Sequence, residues 1–238
     1  MFPLALLNPS TPAVAPASLT LALLHFDGTD NSTVFADSSV FNRTYTSNNA
    51  VLSTTQSKFD NASLSVSSDP FDRIQNNDYT GFWDLGTSNY TAEMWFYQNE
   101  LTSSLGGIFS IIGDSGTQPI GILTRNNGDV VATFQKEGGD LLFLTHQNKF
   151  TAGSFFHVAL VRNGAEIALY LNGIKSNTTY NIGTASLKTG AIRIHIGACA
   201  ASLGDLAFGL NGYIDEFRLR KEAMYLTDFT PPTAPFTY

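Results

Sequence analysis

The residues best placed to do chemistry are scattered carboxylates, four histidines and a few aromatics. Glycoside hydrolysis needs two carboxyl groups, about 5 Å apart for retention and wider for inversion. The stretch "YTAEMWFYQNE" (90–100) supplies Glu93, but the same-face positions after it are Trp95 and Tyr97. Asp215 and Glu216 are adjacent, so in a strand their side chains leave opposite faces. His25, His146, His157 and His195 lie outside any Gly-x-Ser-x-Gly or His-Glu-x-x-His motif. These residues predict a protein that is not an enzyme.

Asp215 invites a different chemistry. In "GYIDEFRLR" (212–220), Tyr213, Asp215, Phe217 and Leu219 share one parity, so Asp215 sits with the more apolar set. A buried carboxylate is costly unless it is hydrogen-bonded, paired or metal-bound. Calcium takes six to eight oxygen ligands. The oxygen-rich stretch "HFDGTDNSTVFADSS" (25–39) offers Asp27 and Asp37 as partners, so one reading is a structural calcium held by Asp27, Asp37 and Asp215. In the other, Asp27 and Asp37 make Asx-turns while Asp215 accepts backbone hydrogen bonds. For a glycan site, Tyr79 in "NNDYTGFWDLGTSNY" (76–90) is the exposed candidate. Arg193 and His195, on the polar parity of "AIRIHIG" (191–197), either join Glu216 and Arg218 of a neighbouring strand or form a plain solvated face.

The elements that must position these groups are strands. "IGILTRNNGDVVATFQKEGGDLLFLT" (120–145) reads as three strands and two turns. "FFHVALVRNGAEIALYLNGIKSNTTY" (155–180) repeats the pattern, with Asn163-Gly164 and Asn172-Gly173 suited to type I′ turns. Ile192, Ile194 and Ile196 alternate toward one face and, with Val158, Leu160 and Phe217, form the expected core. No long helical period occurs; "RKEAMYLTDF" (220–229) allows one helical turn before Pro231-Pro232. The expected fold is all-β, a two-sheet antiparallel sandwich over residues 19–238 with a Pro-rich C-terminal tail. An extended N-terminal arm, residues 1–18, precedes it. The arm lacks the basic start and long apolar core of a signal peptide. Its Phe2, Leu4, Leu6 and Leu7 are apolar anchors for docking on a neighbouring subunit or on another protein of the same particle.

Charged residues are only 14% of the chain and the net charge is −7, with no basic stripe, which argues against nucleic acid and anionic membranes as partners. The single cysteine, Cys199, in small apolar surroundings, reads as a buried hydrophobe.

Taken in order, "LLHFDGTDNSTVFADSS" (23–39), "STTQSKFDNASLSV" (53–66), "YTAEMWFYQ" (90–98), "FFHVALVRNGAEIALYLNG" (155–173) and "LNGYIDEFRLRKEAMYLTDFTPPTAPF" (210–236) resemble the laminin-G-like branch of the concanavalin A-like jelly rolls. The resemblance implies paired first and last strands, a histidine at the place of His157, a core aromatic at Trp83, and glycan, protein or calcium sites at the rim. Jelly-roll hydrolases carry glutamates around an aspartate on one strand, which Glu93 alone does not reproduce. The ending "YLTDFTPPTAPF" (225–236) is similar to laminin-G-like domains of tailed-bacteriophage virion proteins. The expected function is a non-enzymatic virion structural protein (a head decoration, fibre or tail-associated protein) on the extracellular particle. It assembles with other virion proteins as a homo-oligomer such as a trimer, and contacts host-surface glycans. The alternative is a secreted, calcium-dependent carbohydrate-binding module.

Overall fold

The computed structural model describes residues 19–69, 71–101, 105–113, 117–199 and 208–238. The arm, with Phe2, Leu4, Leu6 and Leu7, lies outside the described residues, as does the side chain of Ile192. In chain order the strands are β1 (Thr20–Leu24), β2 (Thr46–Asn48), β3 (Val51–Ser53), β4 (Ser63–Val66), β5 (Arg73–Asn77), β6 (Tyr90–Gln98), β7 (Gly106–Gly113), β8 (Ile120–Thr124) and β9 (Asp129–Gln135). They continue with β10 (Leu141–Lys149), β11 (Phe155–Asn163), β12 (Glu166–Leu171), β13 (Ile174–Lys175), β14 (Tyr180–Asn181), β15 (Ala191–Ile196), β16 (Ala198–Cys199), β17 (Phe208–Gly209) and β18 (Gly212–Arg220).

Two antiparallel sheets carry the fold. Sheet A runs β13-β12-β11-β6-β18-β4-β3, with β1 also on β18 and β14 on β12; sheet B runs β10-β9-β8-β7-β15-β5-β2. The first and last strands pair, Leu24 opposite Phe217. The alternating runs place one apolar row of each strand between the sheets: Ile194, Ile196, Val158, Leu160 and Phe217 all lie in the main core, as expected, with Trp83 beside them. Asn172 and Gly173 both take positive φ (48° and 77°), the type I′ pattern. At the other turn Asn163 stays in β11 and only Gly164 is left-handed, at 56°, which fits glycine at the first position of a type II′ turn.

Two local features depart from simple alternation. In β18 the register slips between Asp215 (opposite Trp95) and Arg218 (opposite Glu93), and Glu216 takes φ 53°. This β-bulge resets the pleat. Ile214, Phe217 and Leu219 then face the main core, while Trp95, the partner of Asp215, belongs to a separate cluster on the other face of sheet A. The parity that grouped Asp215 with Phe217 is therefore corrected: Asp215 belongs to the outer row.

The second feature is the tail. Residues 221–238 form no helical turn; they run extended across the outer face of sheet A. Ala223, Tyr225 and Phe229 cover Ala159, Val161, Ala168 and Tyr170, and Phe236 packs with Leu23 and Trp95. Three prolines deny this segment regular pairing, so side chains and single backbone bonds hold it. Phe229 N donates to Gly173 O at 2.9 Å, and Lys175 N to Asp228 Oδ1 at 2.8 Å. A Cβ on Gly173 would collide with the Phe229 carbonyl in a left-handed conformation. Gly173→Ala is expected to cost about 1–3 kcal/mol and to speed proteolysis within residues 221–238. Unchanged cleavage there would show that the tail is not seated on this turn.

Candidate functional site

Under the tail lies a closed polar network. Glu93 is fully buried on the outer row of β6. Its Oε1 receives Arg218 Nε at 2.9 Å and Nη2 at 2.6 Å; its Oε2 receives Tyr225 OH at 2.8 Å and sits 3.1 Å from His157 Nε2. Burial alone would raise its pKa, but His157 and Arg218 outweigh burial and hold it below the usual range. Arg218 also donates to Thr237 O. His157 is thus a hydrogen-bonded sheet residue, and the network fastens the tail rather than facing substrate.

The acidic residues form two separate groups. Asp37 is spent locally: Oδ1 accepts Leu23 N (3.1 Å) and Ser39 N (2.9 Å), Oδ2 accepts Ser39 Oγ and Arg43 N (both 2.9 Å). Asp215 Oδ2 accepts Lys58 N at 2.7 Å and Phe59 N at 3.1 Å. Burial, with Glu216 and Asp27 nearby, nevertheless pushes its pKa to about 7. Glu216 grips His25 Nδ1 at 2.8 Å and Phe236 N at 2.7 Å. Asp27 is exposed, and the partial desolvation of its carboxyl, with the charge of Asp60, raises its pKa. The structure thus separates the three carboxylates of the expected calcium set. Asp27 and Asp215 share a neighbourhood, but Asp37 has its lone pairs filled elsewhere. Among the described residues no group of three or more His, Cys, Asp or Glu is disposed to hold a metal.

The glycan candidates from the sequence do not converge either. Arg193 and His195 are in sheet B, next to β5 and β7, and do not meet Glu216 or Arg218 of sheet A. His195 is fully buried, and burial together with Arg73 and Arg193 holds its pKa well below normal. The chain turns at Gly197 and lays β16 and β17 against β7, where a Cβ on Gly107 would strike Phe208 O and Cys199 N. That covering is why this face is not solvated. Cys199 is buried, its thiol pushed to about 12 by burial. Tyr79 is 71% exposed and lines neither groove found among the described residues.

One of those grooves is polar, about 520 Å³, and lined by Thr33, Tyr45, Thr46, Ser47, Asn49 and Val51. The other, about 530 Å³, combines aromatic walls with donors: Lys58, Phe59, Trp95, Phe155, Asn172 and residues 230–233 of the tail line it. Asp215 pins the backbone of Lys58 and Phe59, so the bulge in β18 builds one wall. The tail builds the other. Lys58 Nζ lies 3.9 Å from the Trp95 ring centre, and Phe59 meets that ring edge-on at 6.0 Å. Trp95 is 5% exposed, and its Nε1–H, buried, has no hydrogen-bond partner. Asn172 Oδ1 is occupied by His157 N at 2.9 Å. The β6 run hinted at Trp95 and Tyr97 only as absent carboxylates; no local sequence signal joins residue 58, residue 95 and residues 230–233.

Two packed antiparallel sheets with a tail strapped over one of them define a lectin-like jelly roll. A family model described as the concanavalin A-like lectin/glucanases superfamily, Laminin_G_3, matches residues 71–227, and the chain belongs to that superfamily. No curated protein matches it. In structure it is similar to the binding domain of Paraclostridial Mosquitocidal Protein 1 (TM-score 0.66, 15% identity, 88% of this chain and 50% of that one). It is also similar to the botulinum neurotoxin serotype D binding domain (TM-score 0.63, 16% identity, 88% and 49%), which has been solved in complex with N-acetylneuraminic acid. The chain spans about half the length of these structures, and the likeness is one of fold.

Proposed function

We propose that the chain is a non-catalytic recognition module that takes a glycan into the groove between the loop joining β3 to β4 and the tail. The observation that carries this reading is the buried, unpartnered indole N–H of Trp95 beside Phe59 and Phe155. A buried donor left without a partner costs about 1–3 kcal/mol, and small-ligand sites pair apolar walls with a few such donors. Glu93, sealed under the tail, is unavailable as a glycosidase acid. Binding of the full chain to an oligosaccharide panel tests this. The double variant Phe59→Ala/Phe155→Ala should weaken binding at least ~10-fold, as the loss of two aromatic contacts implies. Binding to no saccharide, or undiminished binding by the variant, would overturn the reading.

A second reading places the module on a tailed-phage virion, where residues 1–18 dock on another copy or another virion protein. Its support is the resemblance of the ending at 225–236. Mass spectrometry of purified particles tests it, and absence of the chain from them would contradict it.

A further inference from the structure

We propose that the groove binds its ligand through a carboxylate, so that its occupant is an acidic saccharide of the uronic-acid type; this rests on the glycan reading above. The chain carries 20 Asp and Glu against 13 Lys and Arg, yet neither Asp nor Glu lines this groove. Lys149, Lys175 and Lys188 each hold a carboxylate within 2.9 Å. Lys58 holds none within 4 Å among the described residues; its ammonium rests on the Trp95 ring instead. Asp215, whose carboxylate accepts the Lys58 backbone N–H, is 1% exposed and faces the backbone of the loop rather than the groove. Two donors of different kinds are thus left without an acceptor at one ring, a cation and a buried indole N–H. A carboxylate suits both, because its two oxygens accept several hydrogen bonds and its charge complements the ammonium. A neutral hydroxyl can serve the indole but leaves the ammonium uncompensated. Phe59 and Phe155 then require an apolar ring face on the ligand, which a sugar supplies and a free small acid does not.

The test uses the full chain and two probes of one skeleton: a glucuronic-acid-containing oligosaccharide and its carboxyl-reduced, neutral counterpart. The acidic probe should bind at least ~10-fold more tightly, with the advantage shrinking as salt screens the ammonium. Lys58→Met, which keeps an apolar stem on Trp95, should abolish that advantage. Trp95→Phe, which removes the indole N–H together with part of the ring, should weaken the acidic probe further. Equal affinity for both probes, or an advantage that survives Lys58→Met, would overturn the carboxylate inference while the glycan reading stood. Equal binding of an acidic peptide would overturn it in favour of plain charge recognition. Binding of neither saccharide would remove the glycan reading itself.

Discussion

Replacing Arg218 with Met is expected to destabilise the folded chain by about 3–5 kcal/mol, the range for removing one partner of a buried ion pair. Glu93 has no exposed surface, and two of its four polar contacts come from this guanidinium. Met fills similar volume, so the loss is chiefly electrostatic: an ionised carboxylate stays buried with only Tyr225 and His157. The double variant Glu93→Gln/Arg218→Met removes the stranded charge and should recover a substantial part of the loss. The strap should loosen in the single variant too, since Arg218 and Tyr225 tie it down at two points. Denaturant midpoints for the four proteins of this cycle give the coupling. An unchanged midpoint in Arg218→Met would mean the network does not hold the tail.

Stability should also fall, relative to Asp215→Asn, as pH rises from about 4 to about 7, by an amount on the order of 3 kcal/mol. The sign follows from Asp215. Its folded pKa is raised to about 7, from an ordinary value of 3.8, mainly by burial. Between those values the native state holds a proton that the unfolded chain releases, so each step upward in pH favours unfolding; above about 7 the effect is complete. Glu93 acts oppositely. Its pKa is depressed, so its contribution is present above its unfolded value and is lost as pH falls through the folded one. His195, held well below its ordinary value by burial, works in the same direction as Glu93 while the unfolded imidazole loses its proton, so the Asp215 effect is read against Asp215→Asn. Asp215→Asn, whose amide oxygen can still accept from Lys58 N and Phe59 N, should flatten the fall. A native chain whose melting midpoint follows the same pH course as that of Asp215→Asn would contradict the buried, uncompensated state of Asp215.

The fold was readable because alternation and turn residues are local signals. Ile194 and Ile196 announce their face two residues apart, and Asn172-Gly173 announces its turn within a dipeptide. The site was not readable, for three physical reasons. A bulge at Glu216 inverts the parity of everything before it in β18, and no residue type marks it. His195 looks solvated in its own strand, yet β16 and β17, arriving from later in the chain, cover that face. Trp95, Lys58 and Pro231 meet only because Asp215 grips a loop more than 150 positions away in sequence and because the tail crosses sheet A. The tail's composition predicted an extended segment without regular pairing; its seat on Tyr170 and Glu93 is a tertiary fact.

The most direct test of the groove uses the chain's two tryptophans as probe and control. Trp83 is fully buried with its Nε1 bonded to Asn76 Oδ1 at 3.2 Å, whereas the Nε1 of Trp95 has no partner. In ¹H–¹⁵N spectra of the full chain titrated with a glucuronic-acid-containing oligosaccharide, the Trp95 indole resonance should shift and saturate together with the amides of Thr230 and Thr233. The Trp83 indole should stay in place. Saturable shifts confined to Tyr79, Arg193 and their neighbours, with Trp95 unmoved, would put the binding site on sheet B and contradict the account.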